Sequence, residues 1–221
     1  MDHGYPRAAS AIVLEPDAPL GQSGPMESPA PADHARLLDR HREAVALFGS
    51  RVHAVRPDQW ELPTPCAEWT VRDLVNHLAV EQLWVPPLVA QGRTIADVGD
   101  AFDGDVLGTD PVAVWEEARA AAVAAFAGPG ALDGTVDLSY GKTPTAAYCS
   151  QMVADAVVHS WDLSRAIGAD ERLPDDLVDA AAREFGGYAD QLPPSLFDPP
   201  VEVPEGADAQ TRLLAMLGRA A

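Results

Sequence analysis

Lysine is nearly missing from this chain of 221 residues: Lys142 is the only one, so the positive charge is carried almost wholly by arginine. Basic residues of both kinds number 15 against 34 acidic ones, for a formal net charge of −19. A surface that negative repels phosphate backbones and anionic headgroups, which argues against nucleic-acid binding and membrane docking. Cysteine is scarce as well. Cys66 and Cys149 are too few for a disulfide framework, and both read as reduced thiols. No apolar run approaches the roughly 18 residues of a membrane span. The short apolar patch from Ala8 to Leu14 meets Glu15 and Asp17 at once, unlike the longer apolar region of a secretory signal. The expected location is the cytoplasm.

What is present is ordinary for a globular protein: 47% apolar and 22% charged residues, in a chain long enough to bury a sizeable core. Residues 1–30 are rich in Pro, Gly, Ser and Ala without period, and are expected to form a flexible extension. Residues 31–195 are expected to form the main domain, and 196–221 a Pro-rich appendage with a short helix packed on it.

Within the main domain the apolar spacing is helical. A first helix is expected over about Asp33 to Val55, on Leu37, Leu38, Ala44, Leu47, Phe48 and Val52. Its histidines, His34, His41 and His53, sit in a mixed-charge pattern and are expected to face solvent. Thr70 with Asp73 reads as a capping box opening a second helix to about Val85, where Pro86 and Pro87 stop it or begin a new segment. Gly92 to Thr109 reads as loop. Asp110-Pro111 gives an N-cap and an N1 proline for a helix to about Ala127. Thr143-Pro144 gives the same signal for the longest apolar helix, closed by Gly168 as a left-handed C-terminal glycine. Between them Thr135 to Leu138 is at most a weak strand. A helix from Pro174 to Leu192 and a closing one from Asp208 to Leu217 complete an all-α helical bundle.

Two of these helices carry polar residues on an inward stripe. Placing residues at 100° intervals groups Tyr148, Met152, Asp155, His159, Asp162, Leu163 and Ala166 within about a third of the circumference. Asp73, Leu74, His77, Glu81, Trp84 and Leu88 share a face of the other helix. A buried carboxylate without a partner is costly, so these faces call for a cation, a donor or a water-filled cleft. If the helices are neighbours, His77 meets Asp155 and His159, and three such ligands plus solvent is how catalytic zinc sites are commonly built. The alternative is that these are satisfied core histidines and surface pairs. Asp162 and Glu81 fit as groups orienting a histidine, although Asp162 could equally cap a helix or pair with Arg165. Tyr148 lies on the same stripe and fits a pocket wall. Trp69 and Trp161 are expected in the core or the cleft wall. Cys66 precedes a helix N-terminus that could activate it, but both cysteines are better read as packing residues.

The runs TPCAEWTVRDLVNHL (64–78), VADAVVHSWDLSRAIG (153–168) and FDPPVEVPEGADAQTRLLAMLGR (197–219) resemble the DinB/YfiT-like superfamily. The resemblance is to its actinobacterial branch, related to the mycothiol-dependent maleylpyruvate isomerases. It implies an up-and-down four-helix bundle holding a divalent metal, often zinc, on a His-Glu-His type set. Carried over by motif, those ligands are His77, Asp155 and His159, with Asp155 standing where the isomerase has Glu. Nickel or another divalent ion would suit the same donors. The resemblance further implies mycothiol as cosubstrate, and isomerisation or S-transfer on a small electrophile. The isomerase's substrate-binding arginines find no match by motif. A non-enzymatic metal-binding protein and a metal-activated hydrolase are the rival readings. The sequence leaves the oligomeric state open; bundles of this kind often pair through an apolar helix face, so a homodimer is one possible assembly.

Overall fold

The structure is a computed structural model that describes residues 31–187, 199–203 and 205–220. The expected extension over 1–30 lies outside them. The described chain is mostly helical, with one two-stranded hairpin. Among the described residues, no helix is long and apolar enough to cross a membrane.

Helix α1 spans Pro31–Val52 and buries Ala44, Val45, Phe48 and Val52. His41 falls on this same stripe. Contrary to the expected solvent exposure it is 0% exposed, edge-on to Phe126 with ring centroids 4.9 Å apart. The spacing explains it, since His41 lies three and four residues before Ala44 and Val45.

Helix α2 spans Val71–Val85 and opens on the expected reciprocal cap: Thr70 Oγ1 accepts from the Asp73 amide, and the Asp73 carboxylate accepts from the Thr70 amide. Twelve of its 15 residues are buried, so it runs through the middle of the molecule. It ends at Val85, as expected, and Pro86 and Pro87 open a new segment. The chain continues as one π-helical turn over Pro86–Ala90, with the Gln91 amide donating to the Pro86 carbonyl at 3.2 Å. Widening the turn in this way accommodates rings that lack a donor and crowd the preceding turn.

The expected loop after it contains a four-residue helix, α3 (Ile95–Val98), with its own Thr94–Asp97 capping box. Helix α4 (Pro111–Phe126) has Asp110 as N-cap, its Oδ1 accepting from the Ala113 amide at 3.1 Å, and Pro111 in the first turn. Strands β1 (Thr135–Leu138) and β2 (Gly141–Pro144) then pair antiparallel, Val136 opposite Thr143.

That hairpin corrects the reading of Thr143-Pro144 as a helix cap. Thr143 is committed to the strand, and Pro144 is extended at φ −55° and ψ 133°. Helix α5 (Thr145–Ile167) starts one residue later, with no side-chain cap. Its first donor is satisfied instead by backbone, Thr145 N–H to the Gly134 carbonyl at 3.0 Å. The other end is as expected. Gly168 sits at φ +70°, and the amides of Gly168 and Ala169 return to the carbonyls of Arg165 and Ser164.

Helix α6 (Asp175–Gly186) buries Leu177, Val178, Ala181 and Phe185 and has Gly187 as its C-cap; the rest of the expected stretch to Leu192 lies outside the described residues. Helix α7 (Ala209–Met216) is capped by Asp208 and packs on α6, adding Leu213 and Leu214 to the core. The main contacts run α1 to α5, α2 to α4 and α5 to α6, with α2 also on α5. That last contact sets the two polar stripes face to face.

Candidate metal centre

His77 projects from the middle of α2, Asp155 and His159 from the middle of α5. The structure brings all three together. Asp155 lies between the two imidazoles, with Oδ2 at 3.5 Å from His77 Nε2 and Oδ1 at 3.3 Å from His159 Nε2. The rings stand nearly perpendicular at 82°, centroids 5.3 Å apart. One donor atom from each residue falls within 4.8 Å of the other two, a spread that a single ion can span. All three residues are buried. Asp155 Oδ2 nevertheless makes no hydrogen bond of ordinary geometry among the described residues. A buried carboxylate oxygen in that condition suits a cation, and two imidazole nitrogens beside it supply the remaining donors.

The titration of the group follows from this crowding. Burial pushes the Asp155 carboxyl up, but His159 and His77 outweigh it and hold it well below the usual carboxylate range. For His159 burial opposes the charged form, and the charges of Asp155 and Cys66 with hydrogen bonds to Asp155 and Asp162 override it, raising the imidazole well above its ordinary value. Without an ion, His159 therefore supplies the positive charge that the carboxylates require.

Behind His159 stands a second layer. Asp162, 0% exposed, accepts from His159 Nδ1 at 2.9 Å. The guanidinium of Arg219 grips the same carboxylate, Nε to Oδ1 at 3.2 Å and Nη2 to Oδ2 at 2.9 Å. Burial works upward on Asp162, and the His159 and Arg219 contacts bring it down to about 2. Cys66 Sγ lies 3.3 Å from Asp162 Oδ2 and 3.7 Å from His159 Nδ1.

Cys66, His159 and Asp162 are themselves close enough to span an ion. Arg219 already supplies the cation there, with Nη2 also 3.5 Å from Cys66 Sγ. A metal in that position would face a fixed guanidinium at contact distance.

The loop before α2 forms the other wall. A turn closed by Trp69 N–H to the Cys66 carbonyl at 3.1 Å places Glu68 at φ +65°, a conformation that non-glycine residues seldom adopt. It lays the Trp69 indole against His77, centroids 4.9 Å apart, and near His159 at 6.1 Å. Trp69 is thus wall, whereas Trp161 is core at 2% exposure.

Of the other residues on the two stripes, Glu81 is at the site, Oε1 4.0 Å from His77 Nδ1 and buried. Tyr148 is one layer further in, against Phe126 at 5.6 Å. Burial and the charge of Glu81 push its phenol well above its ordinary value. Asp73 is spent on the cap of α2 and takes no part. Arg165 turns outward, over the Trp161 ring and onto Glu171 at 2.7 Å, so Asp162 pairs with Arg219 instead. Neither Arg219 nor the place of Cys66 beside Asp162 was expected. No periodic pattern links residues 66, 162 and 219, and the one local signal is Gly218 before Arg219, which marks a helix end.

The chain matches the family model of the mycothiol maleylpyruvate isomerase N-terminal domain over residues 41–164. An uncharacterized protein of Mycobacterium tuberculosis strain H37Rv, and another of strain CDC 1551, are each 31% identical over 185 residues, covering 82% of this chain and 97% of theirs. No solved structure matches at a significant level. The family match contains α2, α4 and α5 up to Ser164, and with them the three clustered residues. The chain belongs to the mycothiol maleylpyruvate isomerase N-terminal domain family.

Proposed function

We propose that the protein is a metal-dependent enzyme that uses a low-molecular-weight thiol, mycothiol by family, for isomerisation or S-transfer on a small electrophilic substrate. The observation that carries this reading is the buried Asp155 carboxylate, with one oxygen lacking a hydrogen bond, between His77 and His159. These three residues would hold a divalent ion, with zinc the best fit to two imidazoles and one carboxylate. In the same reading α1, α2, α4 and α5 are the four helices of a DinB-like bundle.

When bound, such an ion supplies Lewis acidity that favours an anionic sulfur on a small molecule at neutral pH. The chain's own residues do the rest. Asp162 accepts the Nδ1 proton of His159 and so directs Nε2 toward Asp155. Glu81 stands behind His77 in a similar sense, at 4.0 Å from its Nδ1. Trp69 covers both imidazole rings and keeps water from that side.

The test is metal content by mass spectrometry on the full chain, beside His77→Ala and His159→Ala. About one ion per chain, lost in both variants while helical circular dichroism persists, is the expected result. A wild-type protein that takes up no ion after incubation with zinc or nickel overturns the reading. Cobalt substitution then addresses the thiol: a sulfur-to-cobalt charge-transfer band on adding mycothiol is expected. Turnover that needs no thiol would instead indicate a hydrolase.

A further inference from the structure

We propose that Arg219 is a positioning residue for the metal centre, so that the segment following α7 is a working part of the site. The inference rests on the metal reading above, and it concerns what fixes His159 rather than what binds the ion.

Local structure delivers Arg219 to the site. Helix α7 ends with Gly218 at φ +80°, the Gly218 amide returning to the Ala215 carbonyl at 3.1 Å and the Arg219 amide to the Leu214 carbonyl at 2.9 Å. This double return turns the chain back on the helix, and glycine is the residue that adopts the left-handed turn without strain. Leu213, Leu214 and Leu217, each at most 1% exposed, anchor the end of the helix in the core. Arg219 is carried inward with them and ends 8% exposed.

The guanidinium then fixes the carboxylate plane of Asp162. Two parallel N–H groups engage its two oxygens, and Nη1 donates to the Leu217 carbonyl at 2.8 Å. A bidentate fork sets orientation as well as charge, which a lysine could not do from the same place. Both oxygens of Asp162 act as acceptors in this contact, and Oδ2 also faces His159 Nδ1 at 2.9 Å. The contact holds the Nδ1 edge of His159 on Asp162 and turns the Nε2 edge to the side where Asp155 and His77 stand. The order runs Arg219, Asp162, His159, ion. Without Arg219 the fully buried Asp162 loses the fork that fixes its plane, and the acceptor facing His159 Nδ1 is no longer held in place.

The test is zinc titration, read by competition with a chromophoric chelator, on wild type, Arg219→Ala, Arg219→Lys and Asp162→Asn. Proton and nitrogen NMR of the His159 ring is recorded on the metal-free forms. Arg219→Ala is expected to weaken zinc binding about tenfold, the low end for removing a group that orients a ligand. Lysine should restore only part. Arg219→Ala combined with Asp162→Asn should be little weaker than Asp162→Asn alone, since both act through one contact.

The metal-free wild type should show a slowly exchanging Nδ1 proton on His159, and Arg219→Ala should lose it. Arg165→Ala serves as control. Arg165 also touches the end of the chain, with Nη1 3.5 Å from the Ala220 carbonyl, but it does not touch Asp162. It should change neither readout. Zinc affinity within twofold of wild type in Arg219→Ala, with the Nδ1 signal intact, overturns the proposal and leaves the metal reading standing. A wild type that binds no zinc removes the metal reading. The NMR comparison then still decides the role of Arg219: a lost Nδ1 signal supports positioning of His159, and an unchanged one refutes it. If Arg219→Ala fails to fold, Arg219→Lys carries the same comparison.

Discussion

The burial of His41 makes a quantitative demand on stability. Burial, opposed by Gln82, brings its imidazole from 6.5 down to about 4. A histidine held neutral in this way stabilises the folded state fully above pH 6.5. That contribution is lost as the pH falls toward 4, because the unfolded chain takes up the proton first. The interval corresponds to at most about 3 kcal/mol, of which about 2 kcal/mol is gone at pH 5. With a urea dependence of about 2 kcal/mol per molar, the unfolding midpoint should fall by roughly 1 M between pH 7.5 and pH 5 on this account alone. His159 runs the other way: its raised value gives a contribution present below pH 6.5 and lost as the pH rises. The measure is therefore the difference between wild type and His41→Leu, both kept metal-free with chelator. Leucine removes the proton site and both nitrogens while filling a similar volume beside Phe126. Equal pH dependence in the two proteins would refute the reasoning and place His41 in contact with water.

Two further substitutions test the packing and capping that hold the site in place. In Gly49→Ala the new Cβ would lie 2.8 Å from Nε1 of Trp115, which is fully buried and packed on Phe48 at 4.8 Å. The ordinary helical gain of about 1 kcal/mol should thus turn into a loss of 1–3 kcal/mol, roughly the cost of overpacking, and a higher urea midpoint would contradict it. Thr70→Ala deletes one half of the capping box of α2 and should cost about 1 kcal/mol, seen as a melting temperature lower by roughly 2–4 °C. An unchanged melting temperature would mean the cap is redundant.

How much of this could be read from the residues depends on whether the signal was local. Thr70 with Asp73, Asp110 with Pro111, and Gly168 each act on backbone groups within four residues, and all three stand where the pattern placed them. The shared faces of His77 with Glu81, and of Asp155 with His159 and Asp162, follow from the helical period. That α2 meets α5 does not; it took the packing to set one face on the other. Thr143-Pro144 carried the right residues for a cap, but Val136 competed for Thr143 and won. His41 was legible in its spacing and was misjudged on its charged neighbours. Cys66 and Arg219 had no pattern to betray them, because their partners lie 96 and 57 residues away.

The distance in sequence between those partners has a consequence for how the protein is made. A ribosome finishes α5, and with it all three proposed donors, some fifty residues before it adds Arg219. During that interval the nascent chain offers an ion two histidines and a carboxylate with nothing yet clamping Asp162. The order of synthesis thus separates capture of an ion from tuning of its ligand. A chain broken off anywhere between Gly168 and Gly218 would carry all three donor residues while lacking the arginine that sets one of them.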